Sequence, residues 1–486
     1  MLRSYIATLI LILFPFIVFG QGRNATWCFG DSAGIKFTSG GVVGITSVLQ
    51  SQEACASIAD TSGNLIFYAG SIGGSNIFHA NLYDNMNLQL INGDSIISTS
   101  SATQGLLILP FFNNINKFSL YSIGFIPTVF PHYSLFSTTV DMSMGNGMVT
   151  LKNQIIDTAV WYNEKMIAIK HGNGRDWWLI NHEQNSDQFI IRLIQNNIII
   201  NSYYQHIGSN LGSSDGAGQM TINPEGNKLA LVGQAGTINV FDFDRCTGLL
   251  SNFINMSDSL LPGFDRYYGS SISSQNLLYY STWDSIWQID LNVPNPFQSK
   301  HLVYADQNGN VCMGQHQLGL DGKIYIANML FCGGPTNIND SLNTHLTVIN
   351  MPDVSGIGCN VLPYFQLIGG GRTYLGLPNM PNYELGPMVG SPCDTLTSIH
   401  SIHENKKGFE IIPNPVISDF AVSISGIADA ENHFELRIFN SKGQLVFKDR
   451  KYKVGDKINC TMFSSGLYAI TLTKNGQQWF NKFIKL

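Results

Sequence analysis

The feature that most constrains the fold is a unit of strand, tight turn and strand that recurs along the middle of the chain. Four clear copies have their turns at 60–64, 223–227, 275–276 and 321–322, and two weaker copies have theirs at 113–114 and 172–174. The units begin at residues 57, 107, 167, 221, 271 and 318, so successive starts are 50, 60, 54, 50 and 47 residues apart. A period near fifty residues with several strands per repeat is typical of β-propeller blades. We predict a seven-bladed β-propeller over residues 25–385, although six or eight blades also fit this spacing.

The turn chemistry and the composition agree with this interpretation. Asp or Asn opens each clear turn by bonding to the backbone, and Gly provides the positive φ. Charged residues are only 12% of the 486 residues and there are 48 glycines, a balance that suits many strands joined by tight turns. Residues 27–48 and 360–383 lie outside the six units. We predict that they form the seventh blade together, by pairing N-terminal with C-terminal strands.

A second, smaller domain is predicted at 409–486. Phe420, Val422 and Ile424 alternate with small or polar residues, and two later runs around residues 434–438 and 468–472 do the same. This period of two indicates strands that are buried on one face, and about seven short strands suggest an immunoglobulin-like antiparallel β-sandwich. Residues 386–408, which contain Pro, Ser and Thr, are the predicted linker. The whole chain is therefore predicted to be all-β.

Short motifs mark this C-terminal domain: a Pro-Asn-Pro start, a Gly-Gln-Leu hairpin, a Gly-Leu-Tyr strand and a Lys-Phe-Ile-Lys end. Their residues are Pro413, Asn414, Pro415, Gly443, Gln444, Leu445, Gly466, Tyr468, Lys482, Phe483 and Lys485. The set resembles the type A C-terminal sorting domain of proteins exported by the type IX secretion system of Bacteroidota. The resemblance implies the outer-membrane translocon as a partner and a secreted or cell-surface location reached through the periplasm. An ordinary immunoglobulin-like adhesion module is the alternative.

Phrases in the repeat region also resemble the propellers of Bacteroidota surface proteins, for example the stretches 27–37, 319–327 and 375–379. That resemblance implies fold and location, and it carries no catalytic residues.

At the N-terminus, Arg3 precedes an apolar run at 5–19 that ends in small residues. This pattern predicts a signal peptide at 1–20. No later segment reaches eighteen uninterrupted apolar residues, so we expect no membrane span in the mature chain.

Net charge and cysteines limit the partners and the cofactors. A formal charge of -6 without basic blocks argues against nucleic-acid binding. The eight cysteines include no C-x-x-C pair, which leaves little support for structural zinc. Cys28 with Cys55 and Cys312 with Cys332 are the nearest pairs in sequence within the main domain, and the actual pairing stays open. We expect Cys460 to be a buried free thiol.

Several motifs invite a chemical interpretation that a structural one explains better. Ser214 lies in a G-x-S-x-G match, but a strand rather than a helix is predicted to follow it, which favours a loop. Asp306, Asn308 and Asn310 are candidate calcium ligands, although a turn is the preferred interpretation. His182 and His316 lie at predicted strand ends and are expected to be structural. We therefore predict no cofactor, no metal and no catalytic residue.

Aromatic residues are the best candidates for ligand binding. Four candidates lie in or beside pairs of aromatic residues that are close in sequence: Trp177, Trp178, Tyr267 and Trp283. One ring of each pair could be exposed for stacking on a sugar or for a protein contact. Packing between blades is the competing expectation for each of them. The favoured function is an extracellular or surface binding or adhesion module for a glycan or a protein. The alternative is a secreted hydrolase or lyase of polysaccharide or peptide with its site at the propeller axis, which requires convergent carboxylates.

Overall fold

The computed structural model describes residues 22–71, 78–126, 132–258, 267–307, 311–330, 338, 340–394, 409–424, 433–440, 444–474 and 477–486. The chain divides into two compact units, residues 1–398 and 399–486. The predicted signal peptide and residues 395–408 of the predicted linker lie outside the described residues. Nearly all regular structure in the described parts is β-strand, as predicted.

The first unit is a β-propeller, and its described residues form seven antiparallel sheets. Blade 1 has three strands and the other blades have four, with strands adjacent in sequence pairing side by side. Blades 1 to 3 comprise β1 (Thr26–Phe29), β2 (Ala33–Thr38), β3 (Gly41–Gly44), β4 (Cys55–Ala59), β5 (Leu65–Ser71), β6 (His79–Asp84), β7 (Ile96–Ile97), β8 (Leu106–Pro110), β9 (Lys117–Ile126), β10 (His132–Asp141) and β11 (Met148–Asp157). Blades 4 and 5 comprise β12 (Tyr162–Lys170), β13 (Trp177–Glu183), β14 (Gln188–Gln195), β15 (Ile198–His206), β16 (Met220–Ile222), β17 (Lys228–Val232), β18 (Ile238–Phe243) and β19 (Leu250–Asn255). Blades 6 and 7 comprise β20 (Ser270–Ile272), β21 (Leu277–Ser281), β22 (Ser285–Asp290), β23 (His301–Ala305), β24 (Val311–Leu318), β25 (Ile324–Leu330), β26 (His345–Ile349) and β27 (Val361–Leu367). Short 3₁₀ turns occur at Ser213–Asp215, Pro296–Ser299 and Gly356–Cys359.

The repeated sequence unit is the hairpin between the first and second strands of blades 2 to 7. In the first copy, Asp60 accepts hydrogen bonds from the backbone N–H groups of Ser62 and Asn64, both at 2.9 Å. At the same place in blade 5, Gly226 has a φ of +74°, a left-handed conformation that favours glycine. The six predicted units are thus confirmed.

The predicted closure of the seventh blade is wrong in its pairing. The N-terminal residues form blade 1 by themselves, whereas β27 completes blade 7 next to β26. The reason is locality, because the turn at Gly356–Cys359 returns the chain directly to the free edge of β26. The two ends of the ring still meet: Asp31 and Arg372 exchange backbone hydrogen bonds of 2.9 and 3.0 Å. In the core, Trp27 packs on Tyr325 of blade 7 with ring centroids 5.5 Å apart.

A disulfide fastens the end of the propeller unit. Cys246 is bonded to Cys393, with the two Cα atoms 5.4 Å apart. The Met388 N–H also donates to Gly172 O at 2.8 Å, so residues 386–394 of the predicted linker lie against blades 4 and 5. Cys28 and Cys55, although near in sequence, are buried free thiols. Cys312 is disulfide-bonded, whereas Cys332 lies outside the described residues.

The second unit is a small β-sandwich, as predicted. One sheet pairs β28 (Phe409–Ile412), β29 (Asp419–Ile424) and β32 (Lys457–Asn459), and the other pairs β30 (His433–Phe439), β31 (Leu445–Lys453), β33 (Gly466–Lys474) and β34 (Gln477–Lys485). The alternating residues Phe434, Leu436 and Ile438 are at most 1% exposed in the core between the sheets. Cys460 is a buried free thiol, as expected.

Candidate functional site

Glutamine side chains bridge the axis of the propeller. Gln104 Nε2 donates to Met220 O at 2.9 Å and its Oε1 accepts from Met220 N at 2.8 Å, which links blades 3 and 5. Gln219 Nε2 donates to His316 O at 2.8 Å, which links blades 5 and 7. Gln315 of blade 7 donates to the connector that precedes β8. Because these amides join blades that are not neighbours, the interior of the axis is filled by the protein's own polar groups.

The last part of the propeller chain crosses the same region. We call residues 374–383 the axial strap. The backbone N–H of Asn379 donates to Cys55 O at 3.1 Å in blade 2, and its side-chain amide donates to Met166 O at 2.8 Å in blade 4. The Tyr383 hydroxyl donates to a carbonyl of β8 at 2.7 Å. Any site on the axis must therefore lie at one of its ends, above or below the strap.

Two carboxyl groups converge at the end of the axis where the connectors between blades meet. Glu164 Oε2, on β12, accepts hydrogen bonds from the Thr103 backbone N–H at 3.1 Å and hydroxyl at 2.9 Å. The Thr103 hydroxyl lies 3.4 Å from that of Tyr268, and the pKa of the Glu53 carboxyl responds to both Glu164 and Tyr268, which places Glu53 beside this pair. We call Glu53, Thr103, Glu164 and Tyr268 the carboxylate site. The four residues come from four different blades. Such a convergence of carboxyl groups is what the alternative function from the sequence, a hydrolase or lyase with its site at the propeller axis, requires.

The surroundings disfavour the charged form of both carboxyls. Burial raises the pKa of Glu53 well above its usual range, and the neighbouring charge of Glu164 raises it further. Burial also raises the pKa of Glu164, which the hydrogen bonds from Thr103 partly oppose. In the part of the chain that the structure describes, neither carboxyl forms an ion pair with Lys or Arg. Lys165 is adjacent in sequence, but its Nζ donates to the carbonyl oxygens of residues 215–217 at 2.6, 2.9 and 2.7 Å.

An open groove of about 440 Å³ is lined by Glu164 and by residues of blades 3, 4 and 5. We call it the aromatic groove. The Trp161 side chain is 48% exposed there and stacks on His132, with ring centroids 5.4 Å apart and planes 12° from parallel. Phe125 and Tyr133 form a second pair of rings in the wall, 6.3 Å apart. The groove thus combines flat apolar surfaces with one carboxyl group.

Buried charges hold the opposite wall, residues 213–217. The fully buried Lys165 binds its carbonyl groups as described above, and burial lowers the pKa of this lysine to about 8. The Asp215 carboxylate accepts from the Ala235 N–H and the Thr237 hydroxyl, both at 2.9 Å. These bonds fix the wall before any ligand arrives.

The aromatic residues proposed from the sequence lie elsewhere. Trp177, Trp178 and Tyr267 are 4%, 1% and 1% exposed, so they pack between blades. The Trp178 Nε1–H donates to Arg245 O at 2.8 Å. Trp283 is partly exposed and packs against a small cluster formed by Cys312, Met329 and Tyr374. Trp177, Trp178 and Tyr267 therefore lie in the core, whereas Trp283 keeps part of its side chain exposed.

The other candidates also have structural surroundings. Asp306 accepts from the hydroxyls of Tyr304 at 3.0 Å and Tyr364 at 2.6 Å, whereas Asn308 and Asn310 lie outside the described residues. No group of three or more His, Cys, Asp and Glu in the described ranges could hold a metal ion. Ser214 lies in the 3₁₀ turn Ser213–Asp215, and β16 follows it as predicted.

Both candidate histidines are buried. The His182 ring bonds to Glu183 O at 2.7 Å and packs on the edge of Phe189 at 4.6 Å. His316 is 1% exposed, and neither ring nitrogen has a hydrogen-bond partner in the described residues. Burial lowers the pKa of each to about 3, so both are neutral at physiological pH.

The sequence interpretation missed Glu53, Thr103, Trp161 and Glu164, although a signal for them exists. Glu53 and Tyr268 each lie two residues before the first strand of a blade, and Thr103 lies three residues before one. Glu164 lies two residues before Met166, where continuous pairing of β12 with β13 resumes after a bulge. Residues at similar positions within successive repeats lie at the same end of the propeller axis. A comparison of the polar residues at these positions would have grouped Glu53, Thr103, Glu164 and Tyr268.

In the second unit, motif residues far apart in sequence meet. The Ile484 N–H donates to Asn414 Oδ1 at 3.0 Å, and Asn414 Nδ2 donates to Lys482 O at 3.2 Å. Tyr468 stacks on Phe483, with centroids 5.4 Å apart and planes at 15°. The other described motif residues lie on the strands and turns of this unit: Pro413, Pro415, Gln444, Leu445, Gly466 and Lys485. Gly443 lies outside the described residues. The Pro-Asn-Pro start and the Lys-Phe-Ile-Lys end therefore form one corner of the sandwich.

This arrangement agrees with a family comparison. Residues 410–486 match the model of the secretion system C-terminal sorting domain. The C-terminal unit is a type IX sorting domain. It indicates export through the type IX secretion system to the cell surface or the medium. No curated protein matches the chain.

Solved structures resemble the chain at low identity. PorZ, a surface component of the type IX secretion system of Porphyromonas gingivalis, is 13% identical with a TM-score of 0.37, and the match covers 93% of this chain and 62% of that chain. A quinoprotein alcohol dehydrogenase-like protein from Bacteroides thetaiotaomicron is 11% identical with a TM-score of 0.37, covering 72% and 76%. Regucalcin from Agrobacterium tumefaciens is 10% identical with a TM-score of 0.32, covering 57% and 82%. In the described residues, no helix is long and apolar enough to cross a membrane.

Proposed function

We propose that the propeller is an extracellular glycan-binding module, carried out of the cell by its sorting domain. The observation that carries the proposal is the partly exposed Trp161 stacked on His132 in a groove that Glu164 also lines. Sugar rings stack on flat aromatic faces, and their hydroxyls bond to polar groups beside them. The groove supplies such groups in Gln184 and Ser213. Residues 1–20 would direct the chain to the periplasm first.

A glycan array with the purified protein tests this function. We expect a defined subset of glycans to bind, and Trp161→Ala to weaken that binding at least about tenfold because stacking is lost. Phe365→Ala is the matched control, since Phe365 is 59% exposed on β27 and far along the chain from the groove residues. Equal losses in both variants, or unchanged binding by Trp161→Ala, would contradict the proposal.

A second candidate is a secreted hydrolase or lyase that acts on a polysaccharide or a peptide at the same end of the axis. The observation in its favour is the carboxylate site, where two carboxyls with raised pKa lie close enough for one charge to affect the other. Release of products from a bound glycan by the wild-type protein, abolished in Glu164→Gln, would support it. Stable binding without products would favour the binding module.

A further inference from the structure

We propose that the aromatic groove selects ligands that carry a protonated amine, and that Glu164 binds the ammonium group. The inference rests on the proposed glycan function, because it names a ligand class for the same groove. A glycan that contains glucosamine with a free amine belongs to this class. The chemistry that would recognise it is a carboxylate beside aromatic faces.

The first step is the incompletely compensated charge in the groove. Glu164 is partly exposed, and in the described residues its carboxyl accepts hydrogen bonds from Thr103 alone. Lys165 favours the charged form of Glu164, but its Nζ is directed at three backbone carbonyls of the groove wall and forms no ion pair with this carboxyl. A cation brought by the ligand would therefore stabilise the carboxylate further.

The second step is independent of the carboxyl groups. The Trp161 ring, which stacks on His132, is 48% exposed, and Tyr133 and Phe125 line the same cavity. Aromatic faces carry negative potential and attract ammonium groups within about 6 Å of the ring centroid. Rings and carboxyl therefore favour the same kind of ligand. Neutral sugars would gain the stacking alone.

The third step is a coupling to protons. An ammonium group stabilises the ionised form of Glu164, so binding should release protons and strengthen as the pH rises towards neutrality. The titratable groups near Glu164 are Glu53 before β4, Tyr133 on β10, Lys165 on β12 and Tyr268 before β20, and His132 on β10 lines the same groove. Comparing the pH dependence of binding in the wild type and in Glu164→Gln separates the contribution of Glu164 from those of the other groups.

The test uses three tetrasaccharides with the same β-1,4 backbone that differ only in the group at carbon 2. These are the tetramers of glucosamine, of N-acetylglucosamine and of glucose, measured by calorimetry with the full chain at pH 6. We expect the amine tetramer to bind at least about tenfold more tightly than the other two. Glu164→Gln should lower that ratio to the smaller preference that the aromatic faces supply by themselves.

Two further variants separate charge from folding. Glu164→Asp keeps the charge and should retain part of the preference. Glu183→Gln removes a partly exposed carboxylate of the same blade that does not line the groove, and should change nothing. Equal binding of the amine and glucose tetramers, with the Trp161 dependence intact, would overturn this inference and leave the glycan proposal standing. Binding of none of the three would also overturn it, whereas the glycan array decides the proposed function separately.

Discussion

The hydroxyl oxygens of Thr103 and Tyr268 lie 3.4 Å apart, although 165 residues separate them in sequence. Each lies in a connector that enters a blade, and the propeller brings these connectors to one end of its axis. Thr103 also donates to the carboxyl of Glu164, and the charge of Glu164 helps to raise the pKa of Glu53. Properties of one carboxyl should therefore depend on the other.

Glu53→Gln should stabilise the protein at neutral pH relative to the wild type. The pKa of Glu53 is raised in the folded state, so the folded state holds a proton that the unfolded state has released. The free energy of unfolding therefore falls as the pH rises above about 4.5, and the variant lacks this contribution. Denaturant unfolding at pH 4.5 and pH 7 measures the difference. Identical pH dependence in the wild type and the variant would contradict the prediction.

His316→Leu should have the opposite pH signature. The folded pKa of His316 is lowered to about 3, so stability is lost as the pH falls from about 6.5 towards 3. Because neither ring nitrogen has a partner in the described residues, leucine should cost little at pH 7 and should gain up to about 4 kcal/mol near pH 3 relative to the wild type. Unfolding curves between pH 4 and 7 test this. The exposed His301→Leu is the control and should leave the slope unchanged.

Removing both Cys246 and Cys393 by substitution with Ser should lower the free energy of unfolding by about 2–4 kcal/mol. The disulfide closes a loop between residues 147 apart in sequence, and its loss frees the unfolded chain. The double variant is preferable to a reductant because Cys312 takes part in another disulfide. Limited proteolysis should cut the variant near residues 386–394 sooner than the wild type. An unchanged cleavage pattern would show that the disulfide does not hold residues 386–394 on the propeller.

Gly376→Ala should be strongly destabilising, by about 3 kcal/mol or more. A Cβ at this place in the axial strap would lie 2.1 Å from Glu53 O, and backbone atoms cannot move aside cheaply. Gly386→Ala is the matched control, since a Cβ there meets nothing within 4 Å. Thermal unfolding of both variants gives the comparison. Similar melting temperatures would show that the strap does not lie against the connector of blade 2.

Tyr468→Ala should destabilise the sorting domain by about 3 kcal/mol or more, and reduce the amount of protein outside the cell. The Tyr468 ring is 6% exposed and stacks on Phe483. Leu467→Ala provides the control on the same strand, because that side chain is 51% exposed. Immunodetection in the medium and on intact cells of an exporting host measures the outcome. Full export of the Tyr468 variant would show that export does not require the packing of Tyr468 on Phe483.

Local patterns account for most of what was predicted correctly. The turn of Asp60 and the left-handed Gly226 depend on residues within a few positions, so the hairpins of six blades are readable from the sequence. The alternation in β30 is local in the same way. Closure of the ring was predicted wrongly, because β27 pairs with β26, the strand directly before it in sequence, and not with the distant N-terminal strands.

By itself, the sequence determined the repeat, the all-β class and the sorting domain, since each is written in short spacings and turn residues. Only the tertiary structure decided which aromatic rings are exposed: Trp177 and Trp178 are buried, whereas Trp161 is open to the groove. It also decided that Glu53 and Glu164 come close enough to affect each other, which their positions within the repeat imply only once the ring of blades is closed. The physical reason is that a closed ring of blades brings residues at similar positions in different repeats close together at the axis. The burial of a side chain depends on which residues of the neighbouring blade pack against it.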